Sequence, residues 1–365
     1  MPAALPGVDW WRGRRALVTG HTGFVGGWLC AWLAQLGAQV SGFALGPPTT
    51  PSFFERAQVE RILSRSVIAD VRDAAAVAEA VRACDPQVVF HLAAQPIVRD
   101  AHRDPAATFG TNVMGTVNVL EACRGRAALE SLVVYTTDKV YRNSESGRAF
   151  VEGDPLGGGE PYSASKAAAD WAVAAYWSSF FRAATPVPGV AIVRAGNILG
   201  GGDWGRDRLL PDAVRAFAQK RALEVRNPDS TRPWQHVLDV VRGTLVLAER
   251  HAAADSPGAL AWNLGPSSGE AHSVAEIATL AAAAWGEGAA WRVQPEGSIA
   301  EARALGLSSD RARRALGWQC AWSVETAVGS SIAWYKADLG GDVDLLGLAR
   351  RQIEEHVADV KRSSA

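Results

Sequence analysis

Short continuous apolar runs alternate with stretches of helical periodicity through the first half of the chain. The runs at 14–20, 38–45, 66–70, 87–94, 131–137 and 189–196 predict six strands. The helical patterns between them cover 24–36, 73–84, 106–123 and 163–181. Strands that are apolar throughout are buried on both faces, so the pattern predicts a parallel sheet covered by helices. Right-handed crossovers then give an α/β fold, a Rossmann-type doubly wound sheet. The alternation stops after Asn197, where Gly200-Gly201-Gly202 and polar segments intervene. Short strands at 222–226 and 261–265 and helices at 239–251, 273–285 and 324–336 read as a smaller C-terminal α/β lobe, not as more of the sheet. The expected division is a nucleotide-binding domain over 1–197, a substrate lobe mainly over 198–340, and a C-terminal helix and tail over 341–365, helical to about Val357. The stretch at about 232–263 is expected to return to the first domain.

Composition narrows the class. Of 365 residues, 48% are hydrophobic and 21% charged, with a net charge of −1. A sizeable core can be buried, and a protein built to coat nucleic acid or an anionic membrane is not expected. Cys30, Cys84, Cys123 and Cys320 are scattered with no C-x-x-C pair, so neither a metal site nor a disulfide framework is expected. The first fifteen residues contain no apolar secretory core. The longest apolar stretch, Phe24 to Ala34, is shorter than the ~20 residues of a membrane span. The chain reads as soluble and cytoplasmic. Of its 37 basic residues only five are lysines, Lys139, Lys166, Lys220, Lys336 and Lys361. Coding bias accounts for the average but not for where the remaining lysines sit.

The first strand is followed by Gly20-His21-Thr22-Gly23-Phe24-Val25-Gly26, opening a helix. Glycines there permit the tight turn, close approach of a pyrophosphate, and close helix–strand packing. The helix N-terminus offers free N–H groups to the phosphates. A glycine-rich turn without a ligand is the competing reading, weakened by the strand before and the helix after. The second strand ends SGFAL (41–45) with no acid for the adenosine ribose, so NAD and NADP are not separated at that position. Asp70, beside Val71, reads either as an adenine contact or as a helix N-terminal acid.

Tyr162-Ser-Ala-Ser-Lys166 places a phenol and an ammonium on one helical face. A lysine cation there would draw the phenol below its usual ~10 and make it a base for a sugar hydroxyl. Thr136-Thr137-Asp138-Lys139 ends the fifth strand, whose carboxyl end faces the cofactor crevice. Hydroxyl, acid and amine together look like proton-transfer groups. A capped turn with a surface ion pair is the plainer alternative.

The glycine turn, HLAAQ (91–95) and the Tyr162/Lys166 pair resemble the extended short-chain dehydrogenase/reductases, the NAD-dependent epimerase/dehydratase family. GHTGFVGGWL (20–29), TNVMGTVNVLEACR (111–124), TTDKVY (136–141), EPYSASK (160–166), RAGNILGGGDWGRDRLLPD (194–212), RPWQHVL (232–238), WNLGP (262–266) and LGWQCAW (316–322) are similar to its nucleotide-sugar 4,6-dehydratases, in particular those taking CDP-glucose. The resemblance runs from about residue 10 to 336. TTDK discriminates: related dTDP-glucose dehydratases carry an acid where Lys139 stands, and simple epimerases lack the acid–base pair. Dehydratases of dTDP- or GDP-linked sugars and nucleotide-sugar 4-epimerases are the alternatives.

The resemblance implies NAD as cofactor, held by residues 20–26, by Asp70, Val71, Leu92, Ala93, Ala94, Gln95, Asn112 and Thr136, and by Tyr162 and Lys166. It implies a nucleotide-sugar substrate contacted by Gln95, Thr137, Asn197, Arg208, Leu209, Arg226, Arg232 and His236, with Trp204 and Trp234 as possible walls. For Arg208 and Arg232 the choice is bidentate phosphate recognition or a solvated surface charge. The implied mechanism uses Tyr162 and Lys166 at the sugar C4, Lys139 as a neutral amine at C5, and protonated Asp138 at the C6 hydroxyl, with Thr137 on the 4-oxygen. Asp138 and Lys139 must therefore invert their usual charges, from carboxylate and ammonium pKa values of ~3.9 and ~10.4. The family usually has Lys where this chain has Val25, which predicts weaker cofactor retention. A homodimer, or dimer of dimers, built on the helices at 106–123 and 163–181 is expected.

Overall fold

The computed structural model describes residues 4–143, 145–253, 261–267, 270–294 and 304–363. Seven strands make one parallel sheet: β1 (Arg15–Thr19), β2 (Gln39–Ala44), β3 (Arg65–Ile68), β4 (Val88–His91), β5 (Ser131–Tyr135), β6 (Gly189–Ala195) and β7 (Ala261–Leu264). Across the sheet they run β7-β6-β5-β4-β1-β2-β3. Thr19 of β1 stands opposite Phe43 on one side and His91 on the other. The chain therefore winds outward from β1 to β3 and crosses back to β4. Strand order reverses between β1 and β4, and a crevice opens at their carboxyl ends.

Every residue of β5 and β6 is buried, as continuous apolar runs between two helical layers must be. One layer holds α2 (Ala74–Cys84), α3 (Gly115–Cys123) and α4 (Pro161–Ser179). The other holds α1 (Phe24–Gln35) and α6 (Val237–Ala252), backed by α8 (Val324–Gly340) and α9 (Leu345–Arg362). Local signals start these helices. Asp73 caps α2 by accepting from Ala75 N and Ala76 N, each at 3.0 Å. Glu160 caps α4 ahead of Pro161 in the first turn. Trp28, Trp32, Trp318 and Trp334 fill the second layer.

The smaller lobe carries α5 (Leu209–Ala218) and α7 (Val274–Trp285), the latter opened by a Ser273–Glu276 capping box. Its strands pair two by two, Asn197–Leu199 with Trp234–His236, Leu223–Val225 with Trp291–Val293, and Thr231–Arg232 with His272–Ser273.

Three expectations need correction. The strand at 261–265 is not part of the irregular lobe: it is β7, paired in parallel with β6 through Trp262 and Val193. The helix expected over 106–123 is segmented, with Pro105–Phe109 leading into a π turn at Gly110–Met114 before α3. The C-terminal helix runs past Val357 to Arg362. Residues 254–260, within the stretch expected to return to the first domain, lie outside the described residues, as do 295–303 and the last two residues of the tail. The four cysteines are free thiols. Among the described residues no helix is long and apolar enough to cross a membrane, and no cluster of three His, Cys, Asp or Glu could hold a metal.

Candidate active site

Gly20 has φ +79°, and a Cβ there would lie 2.8 Å from Ala93 N. Only glycine allows β1 to turn this sharply against the β4 loop. A Cβ on Gly26 would strike Gly20 O, so α1 leaves the strand at a distance only glycine permits. Gly23 differs. A Cβ there would meet nothing nearer than Gly20 O at 3.3 Å, and Gly23 caps α1 without any side-chain acceptor. The first N–H groups of α1 thus face a space that a side chain would fill, a cradle fitted to a dinucleotide pyrophosphate.

The side chains in and around this turn serve the fold. Thr22 Oγ1 donates to Leu45 O at 2.9 Å. His21 is fully buried over Gly42, its Nε2 2.9 Å from Ser66 Oγ, and burial lowers its pKa to about 4. Phe24 closes on Gly200, and Val25 packs on the apolar core. Asp70 is not the helix cap, which is Asp73. Its carboxylate is held by Arg72 at 2.6 Å and kept below the usual range by that bond, while Val71 packs on Gly115.

The loop after β4 is tied inward. Leu92 N and Ala93 N donate to Thr19 Oγ1, and Ala94 follows at the crevice edge. Both polar atoms of the Gln95 side chain are engaged: Oε1 accepts from Ile97 N at 2.5 Å and Nε2 donates to Thr108 Oγ1 at 3.0 Å. Its backbone N–H donates to Asn112 Oδ1, and Asn112 Nδ2 reaches Gln95 O and Ser165 Oγ on α4. The π turn is the backbone adjustment that brings Asn112 to this bridge.

At the carboxyl end of β5, Thr137 caps a short 3₁₀ turn, Asp138–Val140. Glu160 accepts from Tyr162 N and Ser163 N, each at 2.7 Å, and fixes the start of α4 beside that turn. Thr137 Oγ1 donates to Asp138 Oδ1 at 3.0 Å and lies near enough to the Tyr162 phenol to draw its pKa down. Lys139 Nζ stands 5.9 Å from the centre of the Tyr162 ring. Asp138 is 2% exposed and its Oδ2 has no hydrogen-bond partner. Burial raises its pKa against the opposing effects of Lys139, Thr137 and Arg232. The carboxyl is thereby biased toward its protonated form, the state an acid needs.

Tyr162 departs from expectation. Burial pushes its phenol up to about 12, with Thr137 and Arg208 pulling it down. Lys166 is itself lowered to about 8 by burial, and its Nζ donates to Tyr135 O at 2.9 Å. The Tyr–Lys spacing is in place, but the protein alone does not make the phenol acidic.

Arg208 is held by Asp203 at 2.8 Å at the start of α5, next to Leu209. Arg232 is buried and within electrostatic reach of Asp138. Arg226 pairs with Asp207 at 3.2 Å, and Asp207 also binds Arg99, in the short helix Val98–Arg103 after β4, at 3.0 Å. Asn197 begins the strand that pairs with Trp234. His236 does not face the crevice. It is fully buried between Trp28 and Trp322, its Nδ1 accepts from Leu238 N to cap α6, and burial lowers its pKa to about 3. Trp204 and Trp234 are buried, the first packed edge-on against Tyr335 and the second donating its indole N–H to His272 O.

Sequence reasoning passed over Glu160, Tyr141, Asp170 and Arg194, which sit directly behind the site. Arg194 was the available signal, an arginine inside the otherwise apolar strand GVAIVRAG.

The chain is 39% identical over 357 residues to a CDP-glucose 4,6-dehydratase of Salmonella typhimurium, covering 97% of this chain and 99% of the relative. It is 29% identical over 252 residues to a dTDP-glucose 4,6-dehydratase of Streptomyces griseus, covering 68% and 71%. Among solved structures, an epimerase from Methanothermobacter thermautotrophicus superposes with TM-score 0.79 at 22% identity, covering 94% of this chain and 96% of that one. A UDP-glucuronic acid 4-epimerase from Bacillus cereus, in complex with UDP-glucuronic acid and NAD, superposes with TM-score 0.76 at 22% identity, covering 88% and 98%. These two likenesses bear on the fold. With residues 16–265 matching the family's own pattern, and with the glycine cradle and Tyr–Lys helix placed as above, this chain belongs to the NAD dependent epimerase/dehydratase family.

Proposed function

We propose that this chain is a CDP-glucose 4,6-dehydratase, a hydro-lyase that converts CDP-D-glucose to CDP-4-keto-6-deoxy-D-glucose and water. The observation that carries the reading is the cluster of Tyr162, Thr137 and Asp138, with Lys139 Nζ 5.9 Å from the centre of the phenol ring. It joins two sets of proton-transfer groups in one site, and an epimerase needs only one. The choice of base rests on the 39% identity to the Salmonella enzyme across nearly the whole chain.

Gly20, Gly23 and Gly26 would hold NAD, which when bound would supply the oxidation at the sugar C4 and the matching reduction at C6. Tyr162 takes the proton of the 4-hydroxyl, and Thr137 hydrogen bonds the 4-oxygen. A ketone at C4 makes the C5 hydrogen acidic. Lys139 removes that proton, and Asp138, biased toward its protonated form by burial, delivers one to the C6 hydroxyl. The C5–H and C6–O bonds break, a C5–C6 double bond forms, and water leaves. C5 later regains a proton from Lys139, and the proton that Tyr162 took from the 4-hydroxyl passes to Asp138 to replace the one lost with water, so both groups are restored and none is consumed. Arg208, Arg226 and Arg232 bind the diphosphate, with Asn197 and Leu209 lining the sugar.

We infer a homodimer, or a dimer of dimers, through the α3/α4 layer, where Phe109, Met114, Trp171 and Phe180 are exposed apolar side chains. The enzyme is assigned to the cytoplasm and to deoxysugar supply, for material such as lipopolysaccharide O-antigen. Mass spectrometry of the product with CDP-, dTDP-, GDP- and UDP-glucose offered in parallel tests the reading. CDP-glucose should give the fastest conversion to a sugar nucleotide lighter by one water. A product of unchanged mass with inverted C4 overturns the dehydratase, and preference for another base overturns the substrate.

A further inference from the structure

Behind the site lies a buried polar network that the proton-transfer scheme does not use. Asp170 stands one helical turn beyond Lys166 and two beyond Tyr162 on α4. Arg194 of β6 grips it bidentately, Nε to Oδ2 at 2.8 Å and Nη2 to Oδ1 at 2.9 Å, and each residue is 4% exposed. Thr136 Oγ1 donates to the same carboxylate at 3.4 Å, and Thr136 N donates to Val193 O at 2.8 Å. The third corner of the guanidinium, Nη1, donates to the Tyr141 hydroxyl at 2.9 Å and to Glu152 O at 3.1 Å. Tyr141 in turn donates to Asn263 Oδ1 at 2.6 Å, with its ring stacked on Phe150 at 5.0 Å. Asn263 Nδ2 is anchored on Phe150 O and Ser308 O.

Thr136 and Tyr141 flank the turn that carries Thr137, Asp138 and Lys139. One ion pair therefore holds both ends of that turn, and it does so from the helix that carries Tyr162 and Lys166. A buried ion pair contributes little to net stability after desolvation, yet it fixes geometry, because each group must keep its partners. We infer that Asp170, Arg194 and Tyr141 are positioning residues that set the spacing between the oxidation pair, Tyr162 and Lys166, and the elimination pair, Asp138 and Lys139. The inference rests on the dehydratase reading above. Its consequence is kinetic partition. Loosening the network lets Asp138 and Lys139 drift while Tyr162, capped independently by Glu160, stays in place. Elimination then fails before oxidation does.

Tyr141→Phe tests this with the loss of one oxygen and retention of the ring stack. With NAD-loaded protein and CDP-glucose in heavy water, three signals are read: absorbance of reduced nicotinamide, deuterium at C5, and the dehydrated product. The expected result is oxidation at C4 near the wild-type rate, C5 exchange and product formation each down at least tenfold, reduced nicotinamide accumulating, and KM unchanged. Asp170→Asn, which keeps the shape but removes the charge, should show the same split. Rates of each variant are read well below its own thermal midpoint, because Asp170→Asn leaves the Arg194 charge without its carboxylate and costs more stability than Tyr141→Phe. Equal loss of oxidation and elimination, or no loss of either, in a folded variant overturns the inference alone. A wild-type protein that dehydrates none of the four nucleotide sugars overturns the function, and the inference with it.

Discussion

At the scale of single residues, the site depends on which side chains burial leaves in the crevice. His21 and His236 both neighbour motif residues in the sequence, and a motif-based reading places them at the ligand. Each is instead sealed in the core, with its imidazole bonded to Ser66 Oγ or capping α6. Motif position tells how far a residue is from the glycine turn or the substrate segment along the chain. It does not tell which face of the strand or turn it occupies. The lysines were more legible. Arginine stays protonated and cannot serve as a neutral base, so a chain with five lysines among 37 basic residues has a chemical reason to keep one at 139. Lys139→Ala should lose C5 deuterium exchange and dehydration by roughly 10²–10⁴-fold, the range for removing a general base, while C4 oxidation survives. Mass spectrometry of product formed in heavy water measures this, and dehydration at the wild-type rate would remove Lys139 from the mechanism.

Among the elements, α1 and its turn make the clearest distinction between holding the fold and holding a ligand. At Gly26 a Cβ collides with Gly20 O inside the strand–helix contact, whereas at Gly23 it enters open space bounded by Gly20 O at 3.3 Å. Gly26→Ala should therefore destabilise the protein by about 1–3 kcal/mol, as overpacking does, and weaken NAD binding as a consequence. Gly23→Ala should lower the urea midpoint less than Gly26→Ala and still lose NAD affinity, because the added methyl makes only one tight backbone contact but occupies the pyrophosphate's place. Urea unfolding paired with NAD titration by tryptophan fluorescence separates the two, and equal NAD affinity in Gly23→Ala and wild type would refute the cradle. The strands β1, β2, β4, β5 and β6 were legible because each is a largely buried run between recognisable helices, whereas β3 at the sheet edge is half-exposed and showed only through its short Val67–Ile68 run. β7 was not legible, because AWNL is four residues long, follows a long excursion through the smaller lobe, and is defined only by its pairing with β6. The π turn was equally hidden, since its cause is Asn112 reaching Gln95 and Ser165, two contacts distant in sequence.

For the whole molecule, the packing that excludes water from the crevice also sets the response to acid. His21, His91, His236 and His251 are all buried, with pKa values lowered by burial to about 4, 3, 3 and 4. Each has at least one ring nitrogen hydrogen-bonded in the fold. His91 lies between Thr19 Oγ1 at 2.8 Å and Thr116 Oγ1 at 3.0 Å, and His251 Nε2 accepts from Trp262 Nε1 at 3.0 Å. In the unfolded chain the same groups titrate near ~6.5. Between about pH 4 and 6.5 unfolding therefore takes up protons at these four sites. Their contribution to stability is complete above about 6.5 and falls as the pH falls. Glu249 acts in the opposite sense. Burial raises it to about 7, with its Oε1 accepting from Gly7 N at 2.8 Å and Trp11 Nε1 at 2.5 Å, so unfolding releases a proton there across the same window. From these five groups alone the uptake near pH 5.5 is about three protons, or on the order of 4 kcal/mol per pH unit; Asp138 and Asp212, also raised by burial, release protons on unfolding and flatten the slope. Urea unfolding between about pH 5 and 7 should show midpoints dropping sharply below pH 6.5. Glu249→Gln, which keeps the acceptor and removes the opposing proton, should steepen the drop by about one proton. Midpoints that stay level across this range would mean that the four imidazoles are not held neutral by the fold.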